Sequence, residues 1–495
     1  MSSQVKPKSK GTPTYWISVA IGLFFILIFP FLPTFSTVTR TGMFILGPFI
    51  GMVILWSTVN SIWPSILGLL VISFSGIVPD AQGYNAVKAV FMNAFGNEIS
   101  IVIMLGLVFF SGLVYVGCTP YMARFFMTRK IIEGRPYVLM FMIFLCSYVL
   151  GGTAAPMASM LLLWPIAIDI CEKYGYSKHN PVFYSYICGI YLASTLGQPM
   201  FPFKGASYVV VSAFEKVTGL SVNYAVYILY NFIMAMLILA AFMLMLKFVF
   251  RLDMSKLKSI TVAEVAKEKL PPMNIQQKVF FIALAVYILA LLLPPFFKTA
   301  AWAKFLSSLG ITGITVVLVV LLMIIPYNGG FLMDFKGIAK NHFAWDIYFL
   351  VAAALYACNQ MTAEATGIKP MLISVLQPIL GGKPDIVFVA ILLAFALITT
   401  NFANNAGMAV TLLPIVVAFA DQYAGVNLTA LYMTITMMVF VALLTPAASP
   451  YCGMLHAQRD LVNYGEIMKL FLPVFVIAYL LYVIVGYHIA VFLFA

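Results

Sequence analysis

Five pairs of short segments recur in this chain at a separation of about 250 residues, and this internal repeat constrains the fold more than any other feature. The pairs are FGNEI from Phe95 and FAWDI from Phe343, Thr119-Pro120 and Lys369-Pro370, Gly152-Thr153 and Asn404-Asn405, Pro165 and Pro414, and Gln198-Pro199 and Ser449-Pro450. A weak two-fold repeat with interrupted apolar segments is typical of secondary transporters, in which the binding site lies between the two copies.

The composition is that of a membrane protein. Of the 495 residues, 63% are hydrophobic and 9% are charged, and the mean hydropathy is +1.03; a soluble domain carries about 25% charged residues. Apolar runs of about 20 residues cross a bilayer as helices, which satisfy their own backbone hydrogen bonds in lipid. The runs here are too long for the strands of a membrane barrel. We therefore predict an all-α integral membrane protein whose surroundings are the lipid bilayer.

The net charge of +12 is interpreted as a topology signal. The basic residues concentrate in the N-terminal tail, Arg124–Arg135, Cys171–Lys178 and Arg251–Lys269. Since basic loops tend to stay in the cytoplasm, all four segments are predicted to be cytoplasmic. They lack the aromatic interleaving of a nucleic-acid interface, so nucleic acid is not an expected partner.

Placing spans between these segments gives a consistent topology. About eleven transmembrane helices are predicted, at 15–33, 42–58, 62–79, 99–118, 183–215, 223–250, 277–297, 305–326, 346–362, 428–450 and 468–494. The chain then divides into a cytoplasmic tail (1–14), a first half (15–250, with repeat 1 at about 95–250), a cytoplasmic linker (251–276) and a second half (277–495, with repeat 2 at about 343–495). The protein is predicted in the cell (plasma or inner) membrane, with a cytoplasmic N-terminus and an extracytoplasmic C-terminus.

Two apolar stretches do not fit as simple crossings and are predicted to be re-entrant hairpins. The stretch 137–169 lies between two cytoplasmic segments and has LGGTAAP at its middle, where Gly and Pro disfavour a continuous helix. The stretch 385–421 has TTNFANNAG at its middle, and Asn and Gly again favour a break. Five predicted membrane crossings separate each element of the first repeat from its counterpart in the second. Because five is an odd number, the second repeat is predicted to be inverted, and its hairpin is predicted to enter the membrane from outside.

The chemistry of the breaks predicts an anion site. Each hairpin tip leads into a returning helix, whose N-terminus carries free N–H groups and about half a positive charge. About 45 residues after each tip, Pro199 and Pro450 interrupt another span and free its carbonyl groups. The predicted substrate-binding residues lie at these four breaks: Gly152, Thr153, Gln198, Pro199, Asn404, Asn405, Ala406, Ser449 and Pro450.

At this point the chain resembles the divalent anion/sodium symporter family (DASS, INDY-type) over about 15–494. In FANNAGMAVTLLPIV (Phe402–Val416), Asn404, Asn405 and Ala406 occupy the positions of the family's SNT motif, and Gly151-Gly152-Thr153 takes that place in the first half. ASPYCG stands where the family has a TPPN-like turn. The resemblance implies a homodimer with a moving transport domain (an elevator mechanism). It also implies dicarboxylate, citrate or sulfate substrates, with a preference for C4 and C5 dicarboxylates such as malate, succinate and 2-oxoglutarate, and usually sodium coupling.

The sequence departs from the family where sodium should bind. Gly151, Gly152 and Ala406 offer no side-chain oxygen. If sodium is nevertheless the coupling ion, its ligands would come from Gly151, Gly152, Gly197, Asn404, Asn405 and Ala448. No other cofactor or metal is expected.

Lys204 is the most informative charged residue. It follows the break QPMFPF inside a span, where a Lys costs about 2.5–3.5 kcal/mol on insertion scales, and His456 lies 252 positions later (456 − 204). We hypothesise that Lys204, with His456, supplies fixed positive charge in place of sodium, which favours obligatory exchange of one dicarboxylate for another. The alternatives are that Lys204 snorkels to an interface and that His456 ends a cytoplasmic helix.

Three other functions stay open. Sodium-driven symport of dicarboxylate, citrate or sulfate is the nearest alternative to exchange. A channel is another, although interrupted helices in inverted repeats favour alternating access. An intramembrane enzyme would need a catalytic constellation, and neither HExxH nor GxSxG occurs in the sequence.

Overall fold

Helices build almost all of the structure. The computed structural model describes residues 13–79, 81–262, 270–297, 299–402, 404–446 and 448–495. Most of the predicted tail (1–14) and the middle of the predicted linker (251–276) therefore lie outside the described residues.

The helices up to residue 250 include both arms of the predicted first hairpin. They are α1 Pro13–Leu23, α2 Arg40–Thr58, α3 Ile62–Ile72, α4 Tyr84–Phe95, α5 Glu98–Tyr115, α6 Thr119–Met127, α7 Pro136–Thr153, α8 Pro156–Lys173, α9 Pro181–Gly197, α10 Gly205–Thr218 and α11 Tyr224–Leu244. Helices α1 and α11 continue into π-helical turns at Phe24–Ile28 and Met245–Val249.

The helices after the linker include the arms of the predicted second hairpin. They are α12 Ile275–Leu292, α13 Ala301–Ile324, α14 Phe335–Asn341, α15 Trp345–Met361, α16 Ile368–Leu380, α17 Asp385–Thr400, α18 Asn405–Phe419, α19 Leu428–Met438, α20 Pro450–Ala457, α21 Tyr464–Leu481 and α22 Tyr487–Leu493. Two short strands, β1 Pro326–Tyr327 and β2 Gly330–Phe331, pair antiparallel with Pro326 opposite Phe331.

Asparagine sets the start of many of these helices. Its side-chain oxygen accepts a hydrogen bond from a first-turn backbone N–H, which is the role that the N-cap position favours. The capping asparagines are Asn97, Asn180, Asn223, Asn274, Asn404, Asn427 and Asn463. Local sequence thus fixes where these membrane helices begin, while their apolar interiors only require burial in lipid or protein.

The number of uninterrupted spans is smaller than the eleven predicted. Among the described residues, eight helices are long and apolar enough to cross a membrane, or nine if the bent pair α16 and α17 is one span, and this count includes α7 and α18, which are arms of the predicted hairpins. The predicted span 183–215 is divided between α9 and α10, and the span 428–450 stops being helical at Met438. The spans 15–33 and 62–79 contain shorter helices. Gly197 and Pro199 account for the division of the span 183–215.

The predicted cytoplasmic segments pack against each other at one end of the molecule, which we call the basic end. The Tyr137 hydroxyl donates to the Leu252 carbonyl over 3.1 Å, and the Tyr176 hydroxyl donates to the Asp253 carbonyl over 2.9 Å. The Val262 N–H donates to the Glu133 carboxylate over 3.2 Å. The basic segments 124–135, 171–178 and the described part of 251–269 therefore share one face.

The two hairpins open toward opposite ends. The continuous apolar helix Tyr464–Leu493 has 30 residues and spans about 45 Å. Near its start Glu466 pairs with His179 over 3.1 Å, at the base of the first hairpin. Just beyond its end the Phe494 carbonyl accepts from the Asn427 side chain over 3.3 Å, in the loop that follows the second hairpin. The second repeat is thus inverted relative to the first, as predicted.

Candidate functional site

The first hairpin turns at a tip that exposes helix ends. Helix α7 ends at Thr153 and α8 starts at Pro156, with Ala155 in the N-cap position and no side-chain cap. Because neither Ala155 nor Pro156 provides a capping group, the next N–H groups of α8 have no acceptor of their own. This tip therefore offers free backbone donors to an anion.

Glycines let α9 pack closely against α7, the first arm of the hairpin. A Cβ atom at Gly151 would overlap the carbonyl oxygen of Ser194, and one at Gly197 would overlap the carbonyl oxygen of Tyr148. Any larger residue would separate these helices. Two of the residues that sequence reasoning offered as sodium ligands thus have a packing role.

Lys204 lies against the tip of the first hairpin. It is the N-cap residue of α10, and its ammonium donates to the carbonyl of Gly152 and, over 2.7 Å, to that of Ala154. The ring of Phe110 lies 5.0 Å from the ammonium nitrogen. Carbonyl groups at the end of α7 lack helical partners and carry a partial negative charge, so a fixed cation stabilises them there. Lys204 therefore binds the hairpin tip and does not point toward an outer interface.

Gln198 and Pro199 lie where α9 ends. The Gln198 N–H closes the last turn on the Ser194 and Thr195 carbonyls, and the segment 198–204 is not helical. The buried oxygen Oε1 of Gln198 has no hydrogen-bond partner among the described residues. Gln198 is therefore the predicted site residue with the clearest unused polar group.

The second hairpin tip carries the predicted Asn404, Asn405 and Ala406. The side chain of Asn404 accepts from Gly407 N–H over 3.2 Å and so caps α18. The side-chain oxygen of Asn405 accepts from the Thr400 hydroxyl over 3.1 Å, and Asn405 is buried. The N–H groups of Asn405 and Ala406 are the first two of the helix and have no partner within it.

Asn401, which sequence reasoning missed, joins this tip to the interrupted part of the following span. Its side-chain oxygen accepts from both Leu443 N–H and Leu444 N–H, each over 2.8 Å. Its amide nitrogen donates to the Leu397 carbonyl over 2.7 Å and to the Val441 carbonyl over 3.3 Å. The sequence signal that could have identified Asn401 is a polar residue three positions before the SNT-like segment.

Ser449 and Pro450 start the short helix α20. The Ser449 hydroxyl accepts from Cys452 N–H over 3.0 Å, and Pro450 takes the N1 position, where its missing N–H costs nothing. Ala448 is fully buried beside them. Nearby, the Tyr191 hydroxyl of α9 donates to the Ala442 carbonyl, so the two interrupted spans are in contact.

His456 does not occupy the position of Lys204. Lys204 precedes α10 as its N-cap, and the residue in that position before α20 is Ser449, whereas His456 lies in the last turn of α20. The Nε2 atom of His456 is buried without a hydrogen-bond partner among the described residues. The helix after the interruption starts at Gly205 in the first half and at Pro450 in the second, so a constant offset of about 250 residues does not pair equivalent positions around these breaks.

A buried asparagine connects the elements at mid-depth. The Asn231 side chain in α11 accepts from the Tyr148 hydroxyl over 2.7 Å and donates to the Leu196 carbonyl over 3.4 Å and to the Met437 sulfur over 3.2 Å. The Thr400 hydroxyl of the second hairpin donates to the Val439 carbonyl in the same region. Contacts through this region therefore link both hairpins and both interrupted spans.

This architecture defines a class before any comparison. Inverted repeats, two hairpins and two interrupted helices that are linked through shared contacts are the construction of a multi-pass secondary transporter. A sequence profile described as "Sodium:sulfate symporter transmembrane region" matches residues 13–494. The chain belongs to this family and is a secondary transporter of the sodium:sulfate symporter type.

A solved structure supports the fold. The crystal structure of the Alcanivorax borkumensis YdaH transporter, described as having an unusual topology, is similar with a TM-score of 0.52 and 14% sequence identity over 82% of this chain and 89% of that chain. At this identity the likeness concerns the fold alone. No curated protein matches the chain.

Proposed function

We propose that this transporter exchanges small organic dianions and does not couple their movement to sodium. The substrates we favour are C4 and C5 dicarboxylates such as malate, succinate and 2-oxoglutarate, from the family resemblance. The observation that carries the proposal is the Lys204 ammonium on the carbonyls of Gly152 and Ala154.

The residues at both tips fit sodium poorly. A sodium ion needs several oxygen ligands, and in the first half Lys204 already donates to two of the tip carbonyls. In the second half, side chains of the protein already donate hydrogen bonds to carbonyl groups of the interrupted span. Thr400 donates to the Val439 carbonyl, Asn401 to that of Val441 and Tyr191 to that of Ala442. Lys204 would also repel a cation beside it.

The charge balance explains why exchange is favoured over net transport. Lys204 contributes one positive charge, while at each tip the half positive charge of the returning helix is offset by the half negative charge at the end of the preceding arm, α7 or α17. The empty site thus carries about one uncompensated positive charge, which a bound anion compensates. An uncompensated charge in the membrane costs about 2.5–3.5 kcal/mol. Since each 1.36 kcal/mol slows a rate tenfold, the empty carrier should reorient roughly a hundredfold more slowly than the loaded carrier.

Orientation and motion complete the proposal. The positive-inside rule places the basic end in the cytoplasm, with the C-terminus outside, in the cell membrane. In the elevator mechanism that the resemblance implies, the hairpins and interrupted spans move together within each subunit of a homodimer. Contacts such as Tyr148–Asn231 and Tyr191–Ala442 favour movement as one body.

Uptake of labelled succinate into proteoliposomes tests the proposal. We expect rapid uptake only when the vesicles contain unlabelled dicarboxylate, with rates in potassium and sodium buffers equal within about twofold, because charge compensation comes from Lys204. Vesicles without the protein provide the background. Sodium-dependent uptake into vesicles without internal dicarboxylate would establish symport instead. Unlabelled malate, 2-oxoglutarate, citrate and sulfate inside the vesicles rank the substrates.

A further inference from the structure

A cleft opens at the basic end beside α20. It encloses about 620 Å³ and is lined by Pro446, His456, Arg459, Asn463 and Tyr464, among others. Pro446 belongs to the interrupted part of the span that ends in α20, so the cleft leads toward that break. Its volume is several times that of a four-carbon dicarboxylate.

Contacts around the cleft fix its place at the basic end. Three residues after Asn463, Glu466 pairs with His179, which follows the basic segment 171–178. Lys469 lies over the ring of Phe250, at the start of the linker, with 5.7 Å between its nitrogen and the ring centroid. The cleft therefore faces the side on which we place the cytoplasm.

The lining of the cleft carries the positive charge of Arg459 and one unpartnered ring nitrogen, that of His456. Arg459 is exposed, and none of the residues that line the cleft is acidic. The nearby Glu466 is engaged by His179 and by Asn463 N–H. The buried Nε2 atom of His456 has no partner among the described residues. A guanidinium next to an imidazole is suited to a carboxylate, which Arg binds through two parallel hydrogen bonds.

We propose that this cleft is an entry site that binds the dianionic substrate weakly at the cytoplasmic side, before it reaches the hairpin tips. The inference rests on the proposed exchange of dianions. A positively charged cleft raises the local concentration of an anion and speeds its capture. Such a site should affect the apparent affinity on one side of the membrane and leave the maximal rate of exchange unchanged.

Side-specific kinetics of Arg459→Gln test the entry site. Succinate exchange is measured in inside-out and right-side-out membrane vesicles from expressing cells. In the vesicles that present the basic end to the medium, we expect KM for external succinate to rise about three- to tenfold, with kcat unchanged and with a smaller effect at high salt, since screening weakens exposed charges. In the opposite orientation, KM should not change. The matched control is Lys258→Gln, which removes an exposed positive charge elsewhere at the basic end.

The outcomes separate this inference from the proposed function. An unchanged KM at the basic end, an equal rise on both sides, or a loss of kcat alone would overturn the entry site while exchange by the unmodified protein stands. If the unmodified protein instead needs sodium, the proposed function fails whatever Arg459→Gln does. A second variant, His456→Phe, removes the unpartnered Nε2 atom and should raise the same one-sided KM.

Discussion

Lys204→Met is expected to slow dicarboxylate exchange by more than about tenfold, a loss of at least 1.36 kcal/mol of transition-state stabilisation. Methionine keeps most of the side chain's length but removes the charge. The carbonyls of Gly152 and Ala154 then lose their donor, and the loaded carrier gains an unbalanced negative charge. The measurement is the initial rate of succinate counterflow in proteoliposomes, in potassium and in sodium buffer.

Sodium dependence makes this prediction specific. If Lys204 occupies the place of a cation, sodium should restore part of the exchange rate of Lys204→Met, while the unmodified protein should not respond. Lys216→Met is the matched control, because Lys216 is an exposed lysine in the last turn of the same helix. Normal counterflow by Lys204→Met would contradict the role assigned to this residue.

Asn401→Leu is expected to have the second largest effect, on folding as well as transport. Leucine is similar in size but cannot accept from Leu443 N–H and Leu444 N–H or donate to the Val441 carbonyl. A buried unsatisfied polar group costs about 1–3 kcal/mol, so three such groups would cost several kcal/mol. We expect a strongly reduced yield of monodisperse protein in detergent and a lower melting temperature.

The control for this substitution is Asn93→Leu. Asn93 is exposed on α4, and its side chain donates to the Ala89 carbonyl of its own helix. We expect this variant to have a nearly unchanged melting temperature, since exposed substitutions usually stay within about 0.5 kcal/mol. Equal melting temperatures for Asn401→Leu and the unmodified protein would show that the interrupted span does not depend on Asn401.

Much of the architecture could be predicted from the sequence, because membrane folding depends on strong local signals. Long apolar runs define spans, basic segments define one end, and LGGTAAP marks a break because Gly and Pro disfavour a continuous helix. The inverted orientation of the second hairpin followed from counting crossings between these signals. The capping role of Asn404 also agrees with its position before an apolar helical run.

The connections between elements could not be predicted, because they depend on tertiary contacts over large sequence distances. The amide of Asn231 meets Tyr148 and Met437, which lie 83 and 206 positions away. The carbonyl partners of Lys204 are about 50 residues away in the chain, although the charge itself was conspicuous in the sequence. The pairing of His456 with Lys204 was wrong, because a constant sequence offset does not account for segments of different length in the two copies of a repeat.

Substrate protection of cysteines at the two hairpin tips tests the central claim most directly. The six native cysteines are buried, so Thr153→Cys and Asn404→Cys can be labelled with a thiol reagent above a low background. If the two tips together hold the dianion, succinate should slow the labelling of both cysteines at the concentrations that support exchange, and should leave Asn93→Cys unaffected. Labelling of either tip at a rate independent of succinate would contradict the claim that both hairpins bind the substrate.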